Sequence, residues 1–169
     1  EVMGIDLTPG LAFVKSQLSA GTQLPEAGTI FMSLADRDKA VGITAAEIFA
    51  DLGFSIAATS GTAATLREAG IHVAVDVAKL DEVAGVDAVQ LIQDGKVQMV
   101  INSPRGRGSR TDGEHIRSAA GLANVALLTT GAAAVAAANG MRDWQTHPLA
   151  VRSLQEYHAG VSASALGGS

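Results

Sequence analysis

Three short stretches of this chain gather hydroxyls, amides and cations at spacings suited to holding an anion. The first is Ser33 followed by Asp36-Arg37-Asp38-Lys39, and the second is Thr59-Ser60-Gly61-Thr62. The third is Asn102-Ser103-Pro104-Arg105-Gly106-Arg107-Gly108-Ser109-Arg110. The second is chemically the most informative. Hydroxyl side chains and a glycine where a strand turns into a helix place N–H and O–H donors at the positive end of the helix dipole, a ready phosphate site. The same residues also suit ordinary N-capping by Thr59 or Ser60. Lys39, six residues past Ser33, falls about one turn into a following helix, from which its ammonium can face the same crevice. Asn102 offers an amide to a base, a ribose or a phosphate. Arg105, Arg107 and Arg110 make a basic loop in a chain whose net charge is −5. Read singly, Lys39 is a surface charge, Asn102 a turn residue and the arginines a solvated loop. Read together, they bring donors and cations to three strand ends.

The missing chemistry narrows the ligand. No GxGxxG follows the first strand and no GxxxxGK[ST] occurs, which argues against NAD and against an NTP held in a P-loop. The four histidines, His72, His115, His147 and His158, lack metal-ligand spacing, so a structural or surface role is the default for each. Without cysteine there is no disulfide, thiol catalysis or cysteine-ligated zinc, as suits a reducing cytosol. The acidic balance argues against general affinity for nucleic acid or an anionic membrane. No apolar run reaches the roughly 18 residues of a membrane span. The chain opens on Glu1 rather than methionine, as a piece of a longer polypeptide would.

These residues need a frame to hold them. Apolar, β-prone runs recur at Thr29–Leu34, Phe54–Ala58, His72–Val75, Val97–Ile101 and Ala126–Leu128, separated by stretches of helical spacing. Gly53, Gly70 and Gly140 each follow such a stretch, where a left-handed residue would close a helix. Thr111-Asp112-Gly113-Glu114 reads as a capping box opening another. Strands alternating with single helices predict a parallel sheet covered on both faces, an α/β fold in three layers. Ligands of such sheets sit beyond the carboxyl ends of the strands, where the strand order reverses, and all three stretches fall just after predicted strands. Residues 1–28 read as a lead-in with a short helix at Leu11–Leu18. Residues 29–160 read as the domain proper, with a final helix-like run at Val151–Tyr157, and residues 161–169 as a disordered Gly/Ser/Ala tail.

The run Phe31-Met-Ser-Leu-Ala-Asp-Arg-Asp-Lys39, with Leu52-Gly-Phe54 and Ala58-Thr-Ser-Gly-Thr-Ala63, resembles the methylglyoxal-synthase-like superfamily. Further pieces are similar to the allosteric domain of carbamoyl-phosphate synthase large subunits. They are Glu1-Val-Met-Gly-Ile-Asp6 with Ala12-Phe-Val-Lys-Ser-Gln17, Ile101-Asn-Ser-Pro104, Arg110-Thr-Asp-Gly113 with Ile116-Arg117, and Leu154-Gln-Glu-Tyr-His158. The resemblance implies a five-stranded parallel sheet that binds a phosphorylated effector, such as UMP or IMP, through Ser33, Lys39, Thr59, Thr62, Lys79 and Asn102. Ser60, Gly61, Ser103 and Arg107 stand beside these positions. It implies a non-catalytic domain without a cofactor of its own. The implied parent is a cytoplasmic, glutamine-hydrolysing, ATP-dependent ligase using Mg or Mn and serving arginine and pyrimidine synthesis. Its implied partners are the rest of the large subunit, the glutaminase small subunit and further copies of itself, with neither nucleic acid nor membrane. Two departures carry chemical meaning. Arg105 replaces a frequent serine of the family's Asn-Thr-Pro-Ser-Gly loop. Leu127-Leu128-Thr129 stands where some members use Tyr-Asp-Thr to help hold ornithine, and two apolar side chains cannot hydrogen-bond an ammonium.

Three rival readings share part of the pattern. A methylglyoxal synthase would need a carboxylate in a Gly-Gly-Asp stretch after the third strand, where this chain has Asp81, Glu82 and Asp87 without the glycine pair. An IMP cyclohydrolase domain would carry a Val-Lys-Thr-Leu-His stretch that is missing here. A vestigial oligomerisation module would keep the fold without the ligand.

Overall fold

The structure is a computed structural model and describes residues 1–78, 86–104 and 110–159. In chain order the elements are α1 (Pro9–Ser19), β1 (Thr29–Ser33), a 3-10 turn (Asp36–Asp38), α2 (Lys39–Asp51), β2 (Ser55–Thr59) and α3 (Ser60–Glu68). Then come β3 (Val75–Ala78), β4 (Val86–Asp87), α4 (Ala88–Gln93), β5 (Met99–Asn102), α5 (Arg110–Leu122), β6 (Ala126–Leu128) and α6 (Gly131–Thr146). The strands form one parallel sheet in the order β4-β3-β2-β1-β5-β6. From β1 the chain builds outward through β2 and then returns to the other side of β1 as β5. The order therefore reverses between β1 and β5, where an open parallel sheet leaves a crevice.

Strand periodicity decides which helix covers which face. Ile30, Met32, Ile56, Ala58, Met99 and Ile101 point into a core with Val14, Ala45, Phe49, Leu66, Ala134 and Met141, from α1, α2, α3 and α6. The alternate residues Phe31, Ala57, Val77 and Val100 meet Leu91, Ile92, Ile116 and Ala120 from α4 and α5. The central strands β1, β2 and β5 are thus buried on both faces, as their unbroken apolar runs predict. Helix ends follow the expected chemistry at Gly53 and Gly70, whose positive φ of 87° and 85° lets Phe54 N–H reach Phe49 O and Ile71 N–H reach Leu66 O.

Several strand and helix ends shift by one or two residues from the sequence-based boundaries, and four differences carry structural meaning. The third strand begins at Val75 rather than His72, because Ile71 and Val73 turn inward to plug the core before pairing with β2 starts. The two-residue β4 has no period to read. α5 already begins at Arg110, ahead of the Thr111 capping position. Gly140 ends nothing: it lies inside α6, where a Cβ would stand 2.4 Å from Gly10 O and 2.6 Å from Val14 Cγ2. Its lack of a side chain serves the close crossing of α1 and α6.

That crossing anchors the segments on either side of it. The Thr8 hydroxyl caps α1 by accepting from Leu11 N–H and donates to Asp143 of α6. Lys15 Nζ pairs with Asp6 at 2.6 Å and donates to Ile5 O at 3.1 Å, Ala150 O at 2.5 Å and Tyr157 Oη at 2.9 Å. Tyr157 in turn donates to Ile5 O at 3.0 Å. It sits on a helical turn over 154–159, opened by a reciprocal capping box between Ser153 and Glu156. The segment expected as a lead-in therefore packs against α6 and the helical turn at 154–159.

Candidate functional site

The pairing register aligns three of the sequence-predicted residues. Ser33 pairs with Asn102 across β1 and β5, and the β1–β2 register, carried one step past Met32–Ala58, sets Ser33 beside Thr59. Each lies two residues beyond a side chain of the α4/α5 core, namely Phe31, Val100 and Ala57. Ser33, Thr59 and Asn102 thus form a row along the carboxyl edge of β2, β1 and β5, on one face and across the point where the strand order reverses.

Thr62 and Ser103 complete the edge by organising backbone. Thr62 Oγ1 accepts the Leu34 N–H at 3.0 Å and the Thr59 O–H at 3.2 Å. A hydroxyl has two acceptor lone pairs and one proton, so the acceptor capacity of Thr62 is full and its own O–H remains a donor. Ser103 Oγ accepts the Ala35 N–H at 2.8 Å, and Ser103 N–H donates to Ser33 O at 3.0 Å. The two N–H groups that follow β1 are therefore each satisfied by a hydroxyl from a different element. Arg37 adds a bond to Pro104 O at 2.8 Å. Thr62 and Ser103 are 0% and 3% exposed, so the bonds of their hydroxyls form away from competing water and fix the turn after β1 in advance.

The capping alternative for Thr59 receives a direct answer. Thr59 occupies the N-cap position of α3 with extended backbone, yet its hydroxyl makes no capping bond and turns to Thr62 instead. Ser60 and Gly61 lie exposed in the first turn of α3 at the same edge. Lys39 is the first residue of α2 rather than one turn inside it. It is about one-quarter exposed and pairs at 2.9 Å with Asp36, which is 90% exposed. Lys79, Arg105 and Arg107 lie outside the described residues, as do Asp81 and Glu82. The side chain of Arg110 is likewise not described. Leu128 is buried in the core with α6, and Leu127 is packed against the α5 side. All four histidines are exposed. Among the described residues no three of His, Cys, Asp or Glu gather as a metal site, and no helix is long and apolar enough to cross a membrane.

One residue at this edge entered the sequence pattern only as part of the resemblance, with no site role. Arg117 of α5 reaches back to donate to Asn102 Oδ1 at 2.8 Å. Beyond the Ile116-Arg117 resemblance, its sequence signal is the spacing from Gly113, four residues earlier and so one turn beneath it on the same helix face.

An open parallel α/β domain with a preset, donor-rich edge at the switch point defines the class of this protein. The chain belongs to the MGS-like domain family, whose model matches residues 42–129. It is similar over nearly its whole length to three proteins described as carbamoyl phosphate synthase large chain. That of Rubrobacter xylanophilus is 46% identical over 160 residues, covering 94% of this chain and 15% of the relative. That of Acidobacterium capsulatum is 46% identical over 160 residues, covering 95% and 14%. That of Mycobacterium tuberculosis is 46% identical over 164 residues, covering 94% and 15%. The chain thus spans about one-seventh of the length of the curated relatives it matches.

Proposed function

We propose that this domain is the regulatory module of a carbamoyl phosphate synthase large chain. It takes a phosphorylated effector such as UMP or IMP at the β1–β2–β5 edge and controls ATP-dependent carbamoyl phosphate synthesis. The observation that carries the reading is the aligned row of Ser33, Thr59 and Asn102 at the point where the strand order reverses, with the uncapped turn into α3 beside it. A phosphate there would meet the first N–H groups of α3, the dipole of that helix and the hydroxyls of Thr59 and Ser60. Lys39, held by an exposed carboxylate at the start of α2, supplies a cation that a phosphate can recruit when Asp36 swings outward.

Similarity to large chains supports the parent, and through it the partners: the remaining large-chain segments and a glutaminase subunit, with Mg-ATP bound elsewhere. The lyase alternative lacks the glycine pair that would bring a carboxylate against a substrate. The test is calorimetric titration of the 169-residue chain with UMP and IMP, alongside uridine and inosine. The expected outcome is saturable binding of a monophosphate and loss of most affinity in its nucleoside. Equal affinity for nucleotide and nucleoside would remove the phosphate from the reading. No heat with either nucleotide at millimolar concentration would favour a vestigial pocket.

A further inference from the structure

Asn102 is nearly fully buried, and its amide has two chemically opposite ends. A guanidinium carries five N–H donors and no acceptor, so only the amide oxygen can face Arg117. The 2.8 Å bond between Arg117 Nη1 and Asn102 Oδ1 therefore fixes which way round the amide sits. The NH2 end is the one that Arg117 leaves unengaged, on a residue that pairs with Ser33 at the end of β5. Gly113 keeps this arrangement open: a Cβ there would stand 2.8 Å from Arg117 Nη1 and 3.3 Å from Asn102 Oδ1. Such a methyl would displace the guanidinium, the mobile end of a flexible side chain, before it moved the strand.

Resting on the reading of this edge as a phosphorylated-ligand site, we infer that Arg117 is a positioning residue. It holds Asn102 as a donor toward the crevice, so the site selects ligands that present a hydrogen-bond acceptor beside β5. Arg117 acts through Asn102 and makes no ligand contact of its own. An apolar group at position 117 would leave the amide free to flip, and an acceptor there would draw the NH2 end toward α5; either would present an oxygen to an acceptor-bearing ligand.

Two measurements on the 169-residue chain test this. The first needs no ligand: NMR order parameters and residual dipolar couplings of the Asn102 side-chain NH2 group. The wild type should show one fixed orientation. Arg117→Met and Gly113→Ala should show averaging, and Arg117→Lys, which keeps a donor, should restore much of the order. An Asn102 amide equally ordered in Arg117→Met overturns the inference. The second is titration with IMP. Arg117→Met should weaken binding about three- to tenfold, the scale of one net hydrogen bond, and the loss should vanish in an Asn102→Ala background. Asn102→Asp, which pairs with Arg117 but cannot donate, should keep its melting temperature and lose at least tenfold in affinity. Wild-type affinity in Asn102→Asp, or additive losses in the double variant, would also overturn it. A wild type that binds neither IMP nor UMP rejects the functional reading instead, and the NMR result then still decides the role of Arg117.

Discussion

Two polar regions of this domain handle their hydrogen bonds in opposite ways. On the α1–α6 flank, Lys15 directs its charge to one carboxylate and three oxygens, and Tyr157 closes the ring back onto Ile5. The Lys15 and Tyr157 donors both face protein. At the carboxyl edge of the sheet, bonds from Thr62 and Ser103 hold the turn after β1, while Ser60, Gly61 and Lys39 stand at the rim with exposed or weakly held partners. The flank uses polar chemistry to join distant segments. The edge uses it to fix a turn, and under the proposed function to hold donors for a phosphorylated ligand. Burial separates them less than whether each donor's capacity is filled internally.

The largest effect should come from breaking the flank sterically. Gly140→Val would drive its side chain into the Gly10 backbone and Val14, and should cost more than about 3 kcal/mol in chemical denaturation, the range of severe overpacking. Lys15→Met should cost about 2 kcal/mol at pH 7, since it strands partly buried oxygens that the ammonium satisfied. Its pH dependence has a definite sign. Burial alone would raise the Asp6 carboxyl, but the hydrogen bond and charge of Lys15 outweigh it and hold the group below its ordinary value. Burial would likewise lower Lys15, but its bonds to Asp6 and Tyr157 raise it. The Asp6 contribution is thus present above the ordinary carboxylate range and is lost as pH falls through the lowered value, below about pH 4. The Lys15 contribution is full below about pH 10 and lost above it. The stability gap between wild type and Lys15→Met should be flat from about pH 5 to 9 and shrink on either side.

Smaller effects should mark the edge. Ser103→Ala orphans the buried Ala35 N–H and should cost about 1–2 kcal/mol, with a parallel loss of nucleotide affinity as the turn loosens. Ser103→Thr keeps the hydroxyl and should restore both. Asp36→Asn should leave the melting temperature within experimental error, because exposed ion pairs contribute little. It should tighten nucleotide binding about two- to fivefold by releasing Lys39, on the scale of such a pair. A weaker affinity would show that Asp36 helps to orient the lysine.

Much of this frame was legible in the sequence. Five apolar runs and the glycines at 53 and 70 carried their own geometry, and the row of Ser33, Thr59 and Asn102 follows once strands are parallel and in register. What stayed hidden depends on pairing between segments far apart in the chain. Gly140 looks like a helix end because its partner, Gly10, lies 130 residues away. Thr62 and Ser103 read as ligand residues, and their hydroxyls also accept from backbone N–H groups on another loop, which no local pattern discloses. Arg117 sits on a helix with no periodic signal for a polar contact, and only the return of β5 beside β1 brings Asn102 to it.

The comparison is most directly tested by thermal denaturation of Lys15→Met and Lys39→Ala, with and without IMP or UMP at a hundredfold excess over Kd. Ligand that binds only the folded state adds about 2.7 kcal/mol, a rise of about 5 to 10 °C for a domain of this size. The account predicts a crossed result. Lys15→Met melts early but keeps the nucleotide-induced rise, whereas Lys39→Ala melts near wild type and loses most of that rise at the same nucleotide concentration. A full rise in Lys39→Ala, or its loss in Lys15→Met, would contradict the division between a flank that builds the domain and an edge that binds.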